Sequence, residues 1–269
     1  TAAAGPVMRH LEFVRQVLRP DMDVQVGSIT EQWAQFVVAG PHTRQLLEGI
    51  VNADISNEAW PFMGCGPVDI LGTEGRLFRI SFSGELAYEI AVPSRFGDNL
   101  FRLLTAQAEA LGGGAYGMEA LNVLRIEKGF ITHAEIDGRV TAFDLGMDGM
   151  VSKKKDSVGF TASRRVGLMA QDRRQFVGLK AVTNGTGLTA GAHLFEKDAK
   201  AERVNSQGHV TSVCYSPTLD AEIGVGFLSD GANRKGEIIR LVDHLRDVEV
   251  LCEVCSPVFV DQEGERVRG

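Results

Sequence analysis

The sequence predicts an α+β region followed by a small all-β unit of the barrel or sandwich type. In the first part of the chain, apolar residues alternate between the spacing of strands and the spacing of helices. After Arg174 almost every apolar run is short and bounded by Gly, Asn or Asp, which is typical of a small barrel. Glycines and charged residues dominate Asp137–Asp156, and a short helical stretch follows. We therefore predict two domains, 1–167 and 168–269, with the boundary near Gly167–Gln171.

The elements of the first region follow from periodicity and from residues that start or stop helices. The clearest helix is Phe96–Leu111, because its apolar residues form one stripe and Gly112–Gly114 ends it. Gly40-Pro41 opens another helix, since the missing N–H of proline costs nothing in a first turn. The predicted helices are Pro6–Leu18, Gly40–Val51, Phe96–Leu111 and Gly117–Lys128. The predicted strands are Met22–Ile29, Trp33–Ala39, Val68–Leu71, Leu77–Phe82 and Ala87–Val92, the last two joined across Ser83-Gly84.

The second region contains only short strand patterns. They are Phe176–Val182, Ala192–Phe195, His209–Tyr215, Ile223–Phe227, Glu237–Leu241 and Val248–Val260. Gly224-Val225-Gly226 lacks the third glycine and the following helix of a dinucleotide-binding fingerprint. We therefore predict that it belongs to a strand of the barrel.

The composition argues against several classes of protein. The formal net charge is −7 and the pI about 5.4, so nucleic acid is not an expected partner. No apolar run reaches the roughly 18–20 residues of a membrane helix, and the N-terminus lacks the pattern of a signal peptide. We expect a cytoplasmic protein with no membrane contact. A chain that begins at Thr1 and has its first methionine at Met8 is expected to be a fragment.

Residue types that bind metals occur without metal-ligand spacing. Cys252 and Cys255 form a CxxC pair, but on a strand this separation directs their side chains to opposite faces. We predict unpaired thiols and no metal site. The six histidines are scattered, and only His133 is a candidate for a role. Lys153–Lys155 is predicted to be a solvated loop, with a subunit contact or an attraction for an anionic ligand as the alternative.

Two acidic residues in Ser83–Ile90 are candidates for a binding site. Glu85 and Glu89 are four residues apart and would share a face on a continuous strand. The residues around Glu89 are apolar, so its carboxylate is expected to be partly buried and to need a partner. An ion pair with an arginine is the favoured explanation. The alternative is a ligand with two parallel N–H donors, such as the 2-amino-4-oxopteridine edge of folate.

Several short motifs occur in one order over Trp33–Val260. They are Ala39–Pro41, Gly84–Glu89, Leu124–Gly129, Gly208–Ser212 with Ser216–Leu219, and Pro257–Val260. Together they resemble the glycine cleavage T-protein family of tetrahydrofolate-dependent aminomethyltransferases. The resemblance implies an aminomethyltransferase-like folate-binding domain at 1–167, with its N-terminal part missing, and a C-terminal β-barrel domain at 168–269.

A second set of segments narrows the resemblance. These segments are Glu119–Asn122, Glu127–Gly129, Glu135–Thr141 and Met150–Asp156. They are similar to the alpha subunits of heterotetrameric sarcosine oxidases, a branch of this family. The aminomethyltransferases carry an Arg-Asp pair, with the Arg at the folate site, where this chain has Leu121 and Asn122. The difference affects one pteridine contact and argues against a glycine cleavage enzyme.

The resemblance implies a division of chemistry within a complex. A flavin on another subunit would oxidise sarcosine to an imine, and tetrahydrofolate in this region would capture its methylene. The products would be glycine and 5,10-methylenetetrahydrofolate. FAD, FMN and NAD belong to the full complex and are not expected on this chain, whose partners would be the other sarcosine oxidase subunits and folate. The alternatives are a free-standing tetrahydrofolate-dependent aminomethyltransferase and a non-catalytic relative with a role in assembly.

The resemblance also implies roles for individual residues. Glu89 would hold the pteridine edge with Tyr88 beside it, although adjacent residues on a strand face opposite ways, so that Glu89 is the preferred direct contact. Glu85 and Arg125 would be supporting residues. The key Asp of the family is expected upstream of Thr1, and we therefore assign no catalytic residue in this chain.

Overall fold

The computed structural model describes residues 4–155, 157, 159–182 and 187–269, so that Thr1 and Asp156 lie outside the described residues. Contacts divide the chain into two units. The first comprises the residues up to Ser81, Glu85–Ala115 and Arg266–Gly269, and the second comprises Phe82–Gly84 and Tyr116–Glu265. Both units combine segments that are distant in sequence. The division of the chain at residue 167 stays a prediction.

The first unit is built on a four-stranded antiparallel sheet with the strand order β1-β4-β3-β2. Its strands are β1 (Trp33–Ala39), β2 (Cys65–Ile70), β3 (Thr73–Phe78) and β4 (Ala87–Pro93), and its helices are α1 (Ala4–Phe13), α2 (Thr43–Leu47) and α3 (Gly97–Ala110). Leu77 and Ile90, from the two central strands, are fully buried. They share one core with Leu47 of α2 and Leu100 of α3. One face of the sheet is therefore covered by helices.

Most predicted elements of this unit are confirmed, but the strand predicted at Met22–Ile29 is wrong. These residues form no strand. Met22, Val24 and Ile29 are exposed, because no neighbouring strand pairs with the segment and shields its apolar side chains. Alternation of apolar residues alone was not sufficient for a strand here. At the chain start the predicted helix is present, with its last turn, Val14–Leu18, wound as a π-helix.

Two boundaries differ from the prediction because of backbone turns. The helix predicted at Gly40–Val51 is only α2, which starts after Pro41 and ends where Gly49 adopts a φ of 75°. Leu71 and Gly72 have φ values of 51° and 78°, and they form the two-residue turn between β2 and β3. Strand β3 therefore begins at Thr73, four residues before the predicted start at Leu77.

The second unit contains a closed antiparallel barrel with the strand order β10-β5-β8-β7-β6-β9. Its strands are β5 (Arg174–Ala181), β6 (His193–Glu196), β7 (Gly208–Ser216), β8 (Ala221–Ser229), β9 (Ile238–Asp243) and β10 (Val248–Cys255). The helices α4 (Met118–Glu127) and α5 (Phe160–Ser163) precede the barrel, and α6 (Glu265–Arg268) follows it. The predicted β-barrel is confirmed, although its last strand ends before Pro257 because proline cannot donate to the ladder.

Buried residues line both sides of the barrel wall. Leu179, Leu194 and Ile239 belong to the interior cluster. On the outer side, Ile126 of α4 joins a second cluster with Phe227 of β8. The segment that follows α4 contributes Ile131, Val140 and Leu145 to the same outer cluster. This covering layer carries Asp137–Asp144 across the outside of the barrel.

The Gly-Val-Gly sequence in β8 serves strand packing. A Cβ atom on Gly226 would lie 2.4 Å from the carbonyl oxygen of His209 on the neighbouring strand. Glycine is needed here because the two backbones approach too closely for any side chain. The prediction of a barrel strand at Gly224–Gly226 is confirmed. Among the described residues, no helix is both long enough and apolar enough to cross a membrane.

Candidate functional site

Strand β4 directs Tyr88 and Glu89 to opposite faces of the sheet. Tyr88 is fully buried with the core under the helices. Glu89 is half-buried and lies on the other face, where Gln35, Val37 and Arg76 are exposed. We call this second side of the sheet the open face. The pairing register places on it Trp33, Gln35, Val37, Cys65, Pro67, Arg76, Phe78, Glu89 and Ala91.

The carboxylate of Glu89 lies in the middle of the open face. Its direct cross-strand neighbours are Val37 on β1 and Phe78 on β3. Gln35 donates a hydrogen bond from Nε2 to Oε2 of Glu89. Among the described residues, no arginine or lysine lies within ion-pair distance of Glu89. The ion pair favoured by the sequence is therefore wrong. The residues directly opposite Glu89 are neutral, and Arg76, its diagonal neighbour on β3, forms no ion pair with it.

This arrangement leaves the carboxylate able to bind a ligand. A carboxylate has about four acceptor sites, and Glu89 uses one of them for the amide of Gln35. Two parallel N–H donors can therefore approach it side by side. The flanking residues Val37 and Phe78 give the site an apolar surround. Arg76 lies on β3, and its guanidinium is 5.0 Å from the ring centroid of Trp33 at the start of β1.

Tyr88 has partners of its own in the core. Its hydroxyl donates to the carbonyl oxygen of Ile55 at 2.7 Å and accepts from Nε of Arg44 at 3.2 Å. The guanidinium of Arg79 lies 5.9 Å from the tyrosine ring. Arg79 is 1% exposed, and burial lowers its pKa. Tyr88 therefore anchors β4 from the covered side, and of these two adjacent residues only Glu89 offers a surface to a ligand.

Glu85 lies outside the strand that carries Glu89. Strand β4 begins at Ala87, and Gly84 has a φ of 83°, so the chain turns just before Glu85. The expectation that Glu85 and Glu89 share one face of a continuous strand is therefore wrong. The carboxylate of Glu85 forms an ion pair with Nη1 of Arg266 at 3.0 Å.

Arg125 belongs to a buried polar network in the second unit. It donates to Oε2 of Glu135 at 3.2 Å, to Oγ of Ser212 at 2.7 Å and to Oδ1 of Asn122 at 2.9 Å. Arg125 is 3% exposed and Glu135 is 1% exposed. Burial acts to raise the pKa of Glu135, but hydrogen bonds, that of Ser212 foremost, and the charge of Arg125 hold that pKa below its ordinary value. All these partners lie in the second unit, whereas Glu89 belongs to the first.

The cysteines behave as unpaired thiols. All four are free. Burial raises the pKa of Cys252 to about 12 and that of Cys255 to about 11. In the described part of the chain, no group of three or more His, Cys, Asp or Glu side chains could hold a metal. Lys153–Lys155 and His133 are exposed.

The sequence did not identify two of the residues that shape these sites. Gln35 was missed because its contact with Glu89 depends on the register of strands 54 residues apart. Gln35 is, however, the one polar residue in β1, and this could have identified it as a candidate for the site. Ser212 was missed as a partner of Arg125 because 87 residues separate them, and no local pattern signals such a contact.

Two family models together match nearly the whole chain. The model described as GCVT N-terminal domain matches residues 1–155. The model described as glycine cleavage T-protein C-terminal barrel domain matches residues 174–261. Among solved structures, the glycine cleavage system aminomethyltransferase T from Bartonella henselae superposes with a TM-score of 0.78. The similarity covers 97% of this chain and 67% of that one at 23% identity, and it supports the fold.

Curated relatives differ in how much of their length the chain covers. The sarcosine oxidase alpha subunit of Rhizobium meliloti is 44% identical over 99% of this chain, which spans 27% of that protein. Mitochondrial sarcosine dehydrogenase of Mus musculus is 27% identical over 85% of the chain and 25% of that protein. Aminomethyltransferase of Thermoanaerobacter sp. is 24% identical over 85% of the chain and 60% of that protein. The chain thus spans about a quarter of the relative that it matches at 44% identity.

Proposed function

Because the chain belongs to the glycine cleavage T-protein family, we propose that it is the folate-binding part of a sarcosine oxidase alpha subunit. The observation that carries this proposal is the carboxylate of Glu89 in the middle of the open face, without an ion-pair partner among the described residues. The identity of 44% to an alpha subunit, against 24% to an aminomethyltransferase, supports the narrower assignment.

The open face fits the hydrogen-bonding edge of a reduced pterin. That edge presents N3–H and one N–H of the 2-amino group in parallel, which is the donor pattern that a carboxylate accepts in a bidentate manner. Gln35 holds one oxygen of Glu89, and Val37 and Phe78 provide apolar surface for a ring. Hydrogen bonds to charged groups contribute about 1.5–3 kcal/mol each. Two such bonds are sufficient to orient the ligand.

The chain contributes binding and orientation of the ligand. Tetrahydrofolate supplies the acceptor for the methylene of the imine that arises from oxidative demethylation of sarcosine, and the products are glycine and 5,10-methylenetetrahydrofolate. Holding both reactants in place converts an encounter of two molecules into a step within one site. We assign no catalytic acid or base to the residues of this chain.

The neighbouring residues have supporting roles in this proposal. Tyr88 and Arg44 fix β4 from the covered side, and Glu85 and Arg266 fix the segment before the strand. Arg125 organises the outer wall of the barrel. The other subunits of the oxidase are the proposed partners, and FAD, FMN and NAD would be bound elsewhere in that complex. A cytoplasmic location is proposed as well, which the four free thiols support.

The fate of the imine carbon tests the proposal in the intact complex. With sarcosine and tetrahydrofolate, the wild type is expected to yield mainly 5,10-methylenetetrahydrofolate. An imine that is not captured hydrolyses to formaldehyde and glycine. The Glu89→Gln variant should oxidise sarcosine at the wild-type rate but release most of the carbon as formaldehyde. The proposal is wrong if formaldehyde release from the wild type is independent of tetrahydrofolate.

A free-standing aminomethyltransferase would give a different result. Such an enzyme would form 5,10-methylenetetrahydrofolate only from an aminomethyl donor and would not oxidise sarcosine, even in its native assembly. Retention of folate by either protein would distinguish both from a non-catalytic relative that serves in assembly.

A further inference from the structure

The second unit contains a cleft whose residues are distinct from those of the open face. It lies on the outer wall of the barrel, beneath the covering segment that follows α4, and has a volume of about 190 Å³. This is below the roughly 300–1,000 Å³ of pockets for drug-sized ligands, so the cleft suits only a small molecule. The cleft is lined by Asp137, Arg139, Val140, Asp144, Arg173, Arg174, His209 and Phe227.

Two rings form the floor of the cleft. His209 on β7 and Phe227 on β8 are directly paired in the barrel. Their ring centroids are 5.8 Å apart and their planes meet at 28°. Phe227 is held from the other side by Phe176, with ring centroids 5.7 Å apart. The floor is therefore an aromatic surface held in place by packing, with His209 the more accessible of its two inclined rings, against which an apolar ring can pack.

The acidic residues at the rim already have cationic partners. Asp144 is 3% exposed and receives two hydrogen bonds from Arg173, at 2.7 and 2.5 Å. Asp137 pairs with Arg139, with a shortest contact of 2.5 Å. Hydrogen bonding to Arg139 lowers the pKa of Asp137 to about 2. Both carboxylates are thus ionised at neutral pH and compensate these two arginines.

Arg174 is the arginine in the lining of the cleft whose charge no acidic residue of the described chain compensates. Its one hydrogen bond runs to the carbonyl oxygen of Ser206 at 3.5 Å, and no carboxylate of the described chain lies within ion-pair distance of it. Burial lowers the pKa of His209, and the charges of Arg174 and Arg139 lower it further. The imidazole is therefore neutral at pH 7. The groups that line the cleft carry one net positive charge.

We propose that this cleft binds a small planar monocarboxylate of the benzoate class, with its ring on His209 and Phe227 and its carboxylate on Arg174. The single uncompensated charge calls for a monoanion, and the aromatic floor calls for an apolar ring. Arginine is suited to this role because its guanidinium fork matches a carboxylate. Nothing in this inference depends on folate binding at the open face.

The proposal can be tested by calorimetric titration of the full chain with three probes. Benzoate carries both the ring and the charge, benzamide has the ring without the charge, and acetate has the charge without the ring. Benzoate is expected to bind at one site. The two other probes should bind at least about tenfold more weakly, because benzamide lacks the charge for Arg174 and acetate lacks the ring for the aromatic floor, and each of these contributes more than the roughly 1.4 kcal/mol of a tenfold change.

Matched variants test whether benzoate binds in the cleft. Arg174→Gln should lose the preference for benzoate over benzamide, whereas Arg203→Gln, an exposed arginine outside the cleft, should retain it. An NMR titration of the His209 ring gives an independent readout, because a bound anion raises the pKa of the imidazole and neutral benzamide does not. The inference is wrong if benzoate fails to saturate, if Arg174→Gln binds it like the wild type, or if the His209 pKa is unchanged by benzoate.

Discussion

Gln35 donates a hydrogen bond to the carboxylate of Glu89 across the paired strands β1 and β4. The contact is diagonal, because Val37 rather than Gln35 lies directly opposite Glu89. Diagonal neighbours on a sheet are about 7–8 Å apart and within reach of a long side chain. The amide fixes Oε2 while adding no positive charge. A ligand with N–H donors therefore meets a carboxylate that is oriented but not neutralised.

The first prediction concerns the substitution Glu89→Gln. The variant keeps the shape of the side chain but replaces one acceptor oxygen with an NH2 donor, which would face the N–H donors of a pterin. Loss of a charge-assisted hydrogen bond should weaken folate binding by about one to two orders of magnitude. The thermal unfolding temperature should change little, because the one partner of Glu89 in the described chain is the neutral Gln35. Titration with folate and melting curves on the same samples of the intact assembly give both quantities.

Glu85→Gln is the matched control for this change. Glu85 is also a glutamate of the Gly84–Glu89 motif, but it pairs with Arg266 outside β4. Its substitution should leave folate affinity within about threefold of the wild type. Equal losses of affinity in the two variants would remove the special role of Glu89. A large drop in melting temperature with unchanged affinity in Glu89→Gln would assign it a structural role instead.

A second prediction concerns the residue that orients Glu89. Gln35→Met preserves length and removes the amide donor. A hydrogen bond of this kind contributes about 0.5–1.5 kcal/mol, so folate affinity should fall about two- to tenfold. The effect should nearly vanish in the Glu89→Gln background, because the two side chains act as one unit. A double-mutant cycle of folate affinities measures this coupling, and additive losses would contradict it.

The sequence predicted those parts of the fold that depend on local signals. The barrel strands are bounded by Gly, Asn and Asp, and all six predicted runs overlap observed strands. Tyr88 and Glu89 were expected on opposite faces because strand geometry has a period of two. The strand at Met22–Ile29 was predicted by the same alternation and is absent, since a strand also requires a partner to pair with.

The sites depend on information that local sequence does not contain. The neutral partner of Glu89 follows from pairing between β1 and β4, and the burial of Arg125 follows from contacts with Glu135 and Ser212. An arginine was the reasonable expectation beside a buried glutamate, because most buried charges are paired. Among the described residues no arginine forms an ion pair with Glu89, although Arg76 is its diagonal neighbour on β3, whereas Arg125 and Glu135 form such a pair in the barrel unit.

A third prediction concerns thiol reactivity. Cys65 is exposed, whereas burial raises the pKa of Cys214 and Cys255 to about 11 and that of Cys252 to about 12. The thiolate is the reactive form. In the full chain, a disulfide reagent at pH 8 should therefore modify one thiol quickly and the other three only after denaturant is added. The Cys65→Ser variant should lose the fast phase. Fast reaction of Cys252 or Cys255 would contradict the raised pKa values of the CxxC pair.

A fourth prediction concerns the buried network around Arg125. Arg125→Met keeps much of the side-chain volume but leaves the carboxylate of Glu135 buried without its cation. Breaking a buried pair in this way costs about 3–5 kcal/mol of unfolding free energy. The double variant Arg125→Met with Glu135→Leu should recover part of that loss, because no buried charge remains. Urea unfolding provides the comparison, with Arg102→Met in the exposed Arg102–Asp98 pair as a control that should change stability little.

The last prediction concerns acid stability and the pair formed by Asp144 and Arg173. Burial acts to raise the pKa of Asp144, but hydrogen bonds from Arg173 and Thr141 hold that pKa below its ordinary value. A carboxyl group with a lowered folded-state pKa stabilises the fold above its unfolded pKa of about 3.9, and this contribution is lost as the pH falls through the folded pKa. Asp144→Asn should therefore be less stable than the wild type by about 1.5–3 kcal/mol at pH 7. The difference should shrink steadily below pH 4, where the wild type loses the same charge. Urea midpoints at pH 7, 5 and 3 test this, and a difference that stays constant down to pH 3 would show that the stabilisation by Asp144 does not depend on its ionisation.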